Sequence, residues 1–135
     1  MTLIFCADDR GGLTFAGRRQ SGDGAVRADL LREAQGKRLW MEPYSLTQFS
    51  PAEQAAIQTV QPLPLPPPPE SVYFLERSEP GPYLAQAKRL VVYRWNRLYP
   101  AQTRITLPPE GWRLHSRTDF PGLAHKTITK EVYLK

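Results

Sequence analysis

Period-two alternation in the last third of the chain constrains the fold most. Residues 88–95 (Lys-Arg-Leu-Val-Val-Tyr-Arg-Trp) form a β-branched and aromatic run, and residues 112–116 and 127–134 alternate apolar with polar side chains. Successive side chains on a strand point to opposite faces, so each of these segments buries one face and wets the other. Residues 102–107 lie between them and end in the turn Pro108-Pro109-Glu110-Gly111. Strands of this length are not stable singly, and their half-apolar faces call for one shared sheet.

The N-terminal part supplies the rest of an α/β pattern. Thr2-Leu3-Ile4-Phe5-Cys6-Ala7 reads as a buried strand, stopped by Asp8-Asp9-Arg10-Gly11-Gly12. Val26, Leu30, Leu31 and Ala34 have helical spacing, which predicts a helix over 23–35 with Asp23 at its capping end and Gly36 as its stop. Lys37-Arg38-Leu39-Trp40-Met41 follows as a second strand. It should run parallel to the first, because a helix joins the two in a right-handed crossover. Residues 8–22 read as one long polar loop, of a length that is usually functional or mobile. Ser50, Pro51 and Glu53 form a capping-box start for a short helix carried over 53–59. The Pro-rich segment 62–69 reads as a semi-rigid connector crossing the surface, with an SH3-type ligand as the alternative. The expectation is an α/β fold, one domain over 1–135, with a single mixed sheet. Its strands are 2–7, 37–41, 71–76, 88–95, 112–118 and 126–134, and helices cover its faces.

Composition narrows the function classes. A chain of 135 residues with 41% apolar content suits a globular domain. No apolar run approaches the ~20 residues that span a bilayer. The first strand lacks the basic flank of a secretory signal, so a cytoplasmic protein is expected. The lone Cys6 forbids a disulfide framework and reads as a buried, inert thiol. His115 and His125, the two histidines, belong to no metal-ligand spacing, and no Walker loop, dinucleotide fingerprint or serine elbow occurs. A net charge of +5 invites a nucleic-acid reading. Its best carriers are Arg94, Trp95, Arg97 and Tyr99, where bases alternate with aromatics, together with the Arg18–Arg19 pair. The plainer reading of that cluster is a sheet edge with arginines on the wet side and Trp95 packed.

The order of these parts resembles the dihydrofolate reductase family. The matching residues are the first strand, then Gly17-Arg18-Arg19-Gln20-Ser21-Gly22-Asp23 in place of "P-W-x-x-P-x-D", and 37–41 as the second strand. Ala87-Lys88-Arg89-Leu90, Gln102-Thr103, Trp112-Arg113-Leu114-His115-Ser116 and Thr129-Lys130-Glu131-Val132-Tyr133 complete the set at the C-terminal end. The resemblance covers both ends and fails in the middle. It implies a truncated reductase-type sheet, Asp23 as the catalytic acid, and Thr103 as the threonine that hydrogen-bonds that acid. It also places Ser45, Thr129 and Tyr133 around the ligand. The loop 8–22 is then expected to cover a pocket floored by Asp23 and Thr103, its own Arg18 and Arg19 supplying ligand-binding charge, although Arg18 stands where the family has a tryptophan.

The same resemblance argues against a cofactor. Where the family carries "G-R-x-T" for the dinucleotide phosphates, this chain reads Met41-Glu42-Pro43-Tyr44-Ser45, and the later Gly-Gly turn is replaced by residues 75–82. An acid repels phosphate and proline removes an amide donor. No cofactor is therefore expected. The expected function is a degenerate, non-catalytic reductase-like protein that binds a phosphate-bearing or heteroaromatic small ligand in a binding or regulatory role. The alternatives are an active NADPH-dependent pterin or pyrimidine reductase, and an RNA-binding or RNA-processing protein. The chain also resembles short bacterial proteins called ribonuclease Z, but it lacks that enzyme's zinc motif.

Overall fold

The computed structural model describes all 135 residues. Seven strands form the main sheet: β1 (Thr2–Ala7), β4 (Arg38–Met41), β5 (Ile57–Thr59), β6 (Ser71–Phe74), β7 (Arg89–Arg94), β9 (Arg113–Phe120) and β10 (Ile128–Leu134). Their order across the sheet is β5-β4-β6-β1-β7-β10-β9. The first five are parallel, whereas β10 runs antiparallel to β7 and pairs with β9 as a hairpin. The six strands expected to share one sheet do so, and β1 and β4 point the same way.

Alternation along the strands divides the core in two. Ile4, Val72, Phe74, Val91, Tyr93, Ile128 and Val132 face helix α1 (Gly24–Glu33) and meet its Val26 and Leu30. Leu3, Phe5, Tyr73, Leu90, Val92 and Tyr133 face the other way, against Tyr83 of α4 (Gly81–Gln86), Leu63 and Trp112. Charge fixes α1 in register. Lys130 reaches Asp29 and Glu33, each at 2.8 Å, Arg89 donates to Glu33, and the Tyr93 hydroxyl donates to Asp29 at 2.6 Å. Burial pushes the Tyr93 hydroxyl well up from its usual value, and the bond to Asp29 pushes it the same way.

Three expectations need correction. Residues 8–22 are not one irregular loop: β2 (Gly12–Phe15) and β3 (Arg18–Arg19) form a hairpin, and β8 (Thr103–Arg104) pairs with β2 to make a small second sheet. Ala16 and Gly17 both have positive φ (52° and 69°), as a two-residue turn matched to strand twist requires. The helix expected over 53–59 ends early. The capping box forms at Ser50 and Glu53, but α3 covers only Pro51–Gln54, and Ile57 leads into β5, where it buries against α1's side of the sheet. Short helices have little stability of their own, so an edge position open beside β4 captures the segment. Finally, the Pro-rich segment does not merely cross the surface. Leu63 is 2% exposed, and Tyr83 and Tyr73 donate hydroxyl hydrogen bonds to the carbonyls of Leu63 and Pro64.

Leu63 gives the sharpest test of that last point. Leu63→Ala should lower unfolding free energy by ~2–5 kcal/mol, the cost of emptying a buried leucine site, as measured by urea denaturation. A loss below ~0.5 kcal/mol, typical of surface substitutions, would return the segment to the role of a loose connector.

Candidate functional site

The carboxyl ends of β1, β6 and β7 meet near the middle of the sheet, with β6 on one side of β1 and β7 on the other. Open α/β sheets bind ligands outside such ends, because the connections diverge there and leave a crevice. A pocket opens at this point. Phe5 and Cys6 of β1, Leu75 and Glu76 after β6, and Trp95 after β7 form its floor, and Arg19, Gln20 and Ser21 close it from the hairpin side. Its free volume is about 20 Å³, room for about one water molecule.

The closure is electrostatic. The Arg19 fork holds Glu76 through Nε at 2.9 Å and Nη2 at 3.0 Å, and Gln48 adds a 3.0 Å bond to the same carboxylate. Arg19 also donates its backbone N–H to the Tyr44 hydroxyl at 3.0 Å and stacks its guanidinium 4.3 Å from the Tyr44 ring centre, while Arg77 lies 4.6 Å from the same ring. These contacts latch β3 onto α2 (Pro43–Leu46), and the two charges cancel inside the pocket. Burial pushes the Cys6 thiol well up and Glu76 adds to this, against the pull of Arg19. The thiol is therefore protonated at neutral pH and a poor nucleophile.

Two buried aspartates hold the walls. Asp8, fully buried, takes the N–H groups of Arg10, Gly12 and Tyr99 and the Gln20 amide, at 2.7–3.2 Å. Burial pushes its carboxyl up, but those donors outweigh burial and hold it below the ordinary range. Asp23 caps α1 through the Ala25 N–H at 2.8 Å, and it also gathers the loop between β9 and β10. Leu123, Ala124 and His125 donate backbone N–H groups to it, and His125 Nδ1 lies 3.0 Å from its Oδ2. The same opposition applies: burial raises the Asp23 carboxyl, and the Leu123 N–H, the His125 ring and the other amides depress it well below the usual carboxylate range. The loop wraps so closely that a Cβ on Gly122 would lie 2.7 Å from Asp23 Oδ2 and collide with the His125 carbonyl.

His125 carries the contact into the pocket wall. Its ring stacks on Trp95 with centroids 4.7 Å apart and planes 21° apart. Its Nε2 lies 2.9 Å from the Tyr99 hydroxyl and 3.1 Å from Ser21 Oγ.

Of the residues the sequence singled out, the fold brings Arg19 and Trp95 to the pocket and leaves most others elsewhere. Asp23 is not the pocket floor, since its oxygens are occupied by the helix start and the β9–β10 loop. Thr103 does not hydrogen-bond Asp23; it pairs with Thr14, Oγ1 to Oγ1 at 2.6 Å, because β8 joins the small sheet. Arg18 is exposed on β3, Ser45 is buried in α2, and Thr129 bonds Asp119 and Asn96. The Tyr133 hydroxyl donates to Glu131, and the second oxygen of Glu131 takes Arg117. The basic–aromatic cluster turns inward: Arg94 pairs with Glu131, Trp95 is 4% exposed, Tyr99 meets His125, and only Arg97 remains exposed. Sequence reading missed Gln20, Ser21, Glu76 and His125. Glu76 alone had a signal, its place at the carboxyl end of the expected strand 71–76; Gln20 and Ser21 lay in what reads as a loop, where no strand end marks them. His125 had none, because a loop histidine reveals no partner until the chain folds.

No group of three or more His, Cys, Asp or Glu side chains is arranged to hold a metal ion. No helix is long and apolar enough to cross a membrane. No protein-family model and no curated protein matches the chain.

Asp23→Asn should be far from silent, although asparagine caps helices about as well as aspartate. Its amide would offer hydrogens to three backbone N–H groups that need an acceptor. The expected loss is ~3 kcal/mol or more, since hydrogen bonds to a charged group contribute ~1.5–3 kcal/mol each. A loss under ~1 kcal/mol by chemical denaturation would reduce Asp23 to a simple cap. Acid should expose the same carboxylates. Asp8 and Asp23 have folded values below their unfolded ones, so the unfolded chain binds their protons first. Their contribution is complete above about pH 4, near the unfolded aspartate value, and is lost as pH falls through the folded values. A melting temperature that stayed flat from pH 5 to pH 2 would contradict this.

Proposed function

We propose that the chain is a truncated dihydrofolate-reductase-type domain that has lost nicotinamide-dependent reduction and binds a small planar ligand in the pocket at the ends of β1, β6 and β7. Support for the family reading comes from placement. The segments that carry the resemblance fall in order on β1, on β3 and the residues leading to the N-cap of α1, and on β4, β7, β8, β9 and β10. Of these, β1, β4, β7, β9 and β10 share the main sheet with α1 as the crossover between β1 and β4, whereas β3 and β8 lie in the small sheet. The pocket's position at the strand ends is the observation that carries the binding reading.

The reductase alternative loses its acid. A carboxylate that binds an amidine edge needs free lone pairs facing the ligand, and Asp23 spends them on four N–H groups and an imidazole. The residues at the family's dinucleotide position do not fit a phosphate either. Glu42 is buried there, bonded by the Ser78 hydroxyl at 2.8 Å, and Pro43 opens α2 without an amide hydrogen. The ligand's chemistry follows from the lining. With Arg19 neutralised by Glu76, the pocket offers Phe5, Leu75 and Trp95 as flat apolar walls and Gln20, Ser21 and Glu76 as hydrogen-bonding groups. That favours a neutral heteroaromatic ring over a phosphate ester. The ring would enter by displacing the β2–β3 hairpin, because the closed volume is too small for it.

The experiment is a thermal-shift and Trp-fluorescence titration with free purine, pyrimidine and pterin bases, and with NADPH. At least one base should quench fluorescence and stabilise the fold, by ~2.7 kcal/mol at a hundredfold excess over its dissociation constant, and Glu76→Gln should weaken it at least tenfold. Millimolar NADPH should do neither. Micromolar NADPH binding, or folate-dependent NADPH oxidation, would restore the reductase reading; silence from every base would remove the binding one.

A further inference from the structure

Within the Asp23–His125–Ser21 chain, the Ser21 contact is the one that the fold does not need. Asp23 already satisfies the helix start and three loop amides, and Tyr99 alone would satisfy the second ring nitrogen of His125. Yet Ser21 Oγ also lies on that nitrogen, at 3.1 Å, and Ser21 lines the pocket. The tautomer is fixed by the carboxylate. Asp23 is an acceptor only, so His125 carries its proton on Nδ1 and turns the Nε2 lone pair toward the two hydroxyls. Stacking on Trp95 and the edge of Tyr99 lock the ring in that plane. Carboxylate, imidazole and hydroxyl thus stand in the order that activates a serine, a constellation recognised by geometry and not by chain position. Ser21, at the hydroxyl end, is a lining residue of the cavity, and the acid end is sealed from solvent.

We propose that Ser21 is the nucleophile of an acyl-transfer site, with His125 as its base and Asp23 as the residue that orients the base, acting on small esters or thioesters of planar carboxylic acids. Ser21 Oγ bonds to the carbonyl carbon while its proton passes to His125 Nε2. The tetrahedral intermediate collapses, the carbon–oxygen or carbon–sulfur bond breaks, and the leaving alcohol or thiol takes the proton from His125. Water then attacks the acyl-serine with the same base, releasing the carboxylic acid and restoring the hydroxyl. The proposal uses the pocket assigned above as the ligand site, but its test does not require the natural ligand.

The test exposes the full chain to a fluorophosphonate probe, and separately to p-nitrophenyl acetate. In the first reaction the Ser21 oxygen–phosphorus bond forms, fluoride leaves, and His125 takes the proton. Intact-mass and peptide analysis should find one adduct, on Ser21, and Ser21→Ala should abolish it without changing the melting temperature by more than a degree or two. Tyr99→Phe separates a catalytic from a structural role: with its competitor for Nε2 gone, Ser21 should label several-fold faster, whereas a merely structural hydroxyl would gain no reactivity. A folded wild-type chain that neither labels nor releases p-nitrophenol above the Ser21→Ala level would overturn the proposal, as would an adduct on any other residue. The base titration above is read independently, so loss of the nucleophile and loss of the binding site give different results.

Discussion

The Asp23 carboxylate is the interaction on which the rest of this structure depends. One buried group collects the first turn of α1, three consecutive amides of the β9–β10 loop, and the His125 ring. No lysine or arginine balances it; backbone dipoles and an imidazole do. A buried charge without such partners would cost several kcal/mol, and with them it becomes a rigid node. Through that node, a helix on one face of the sheet is tied to a hairpin at its far edge.

Asp8 repeats the device just past the carboxyl end of β1. It anchors the turn after β1, the Gln20 side chain and the Tyr99 amide. Between the two aspartates run residues 19–21, whose side chains roof the pocket. The wall positions are therefore set by buried charge, and the roof is tied to the same charges: Gln20 bonds Asp8 directly, Ser21 reaches Asp23 through His125, and Arg19 is held by Glu76 and Tyr44.

Most of the sheet was legible because alternation and β-branched runs report on which face is buried. The alternation at 112–116 misleads, however: the edge strand β9 is open on both faces, with Leu114 44% exposed, because nothing packs over it. Val91, Val92 and Tyr93 mark β7, and Val132 and Tyr133 mark β10, with little competition from other readings. The errors lie where tertiary context overrides local preference. Ile57 carries no signal that an edge position beside β4 awaits it, and the hairpin at Ala16–Gly17 hides among polar residues that suit a loop equally well. Asp23 was legible as a cap, since that role is local in sequence. Its bonds to residues 123–125 are separated from it by some hundred positions. For the same reason the resemblance-based pairing of Asp23 with Thr103 failed: position along a motif says nothing about which side of a hairpin a threonine finally pairs with.

The most direct test of this account is the tautomer of His125, read from imidazole ¹⁵N shifts at neutral pH with His115 assigned by substitution. The account predicts a ring protonated on Nδ1, its proton slow to exchange and lost from the spectrum on heating only with global unfolding. A ring protonated on Nε2, or one exchanging its proton as freely as an exposed histidine, would show that Asp23 does not hold it, and the node would be gone.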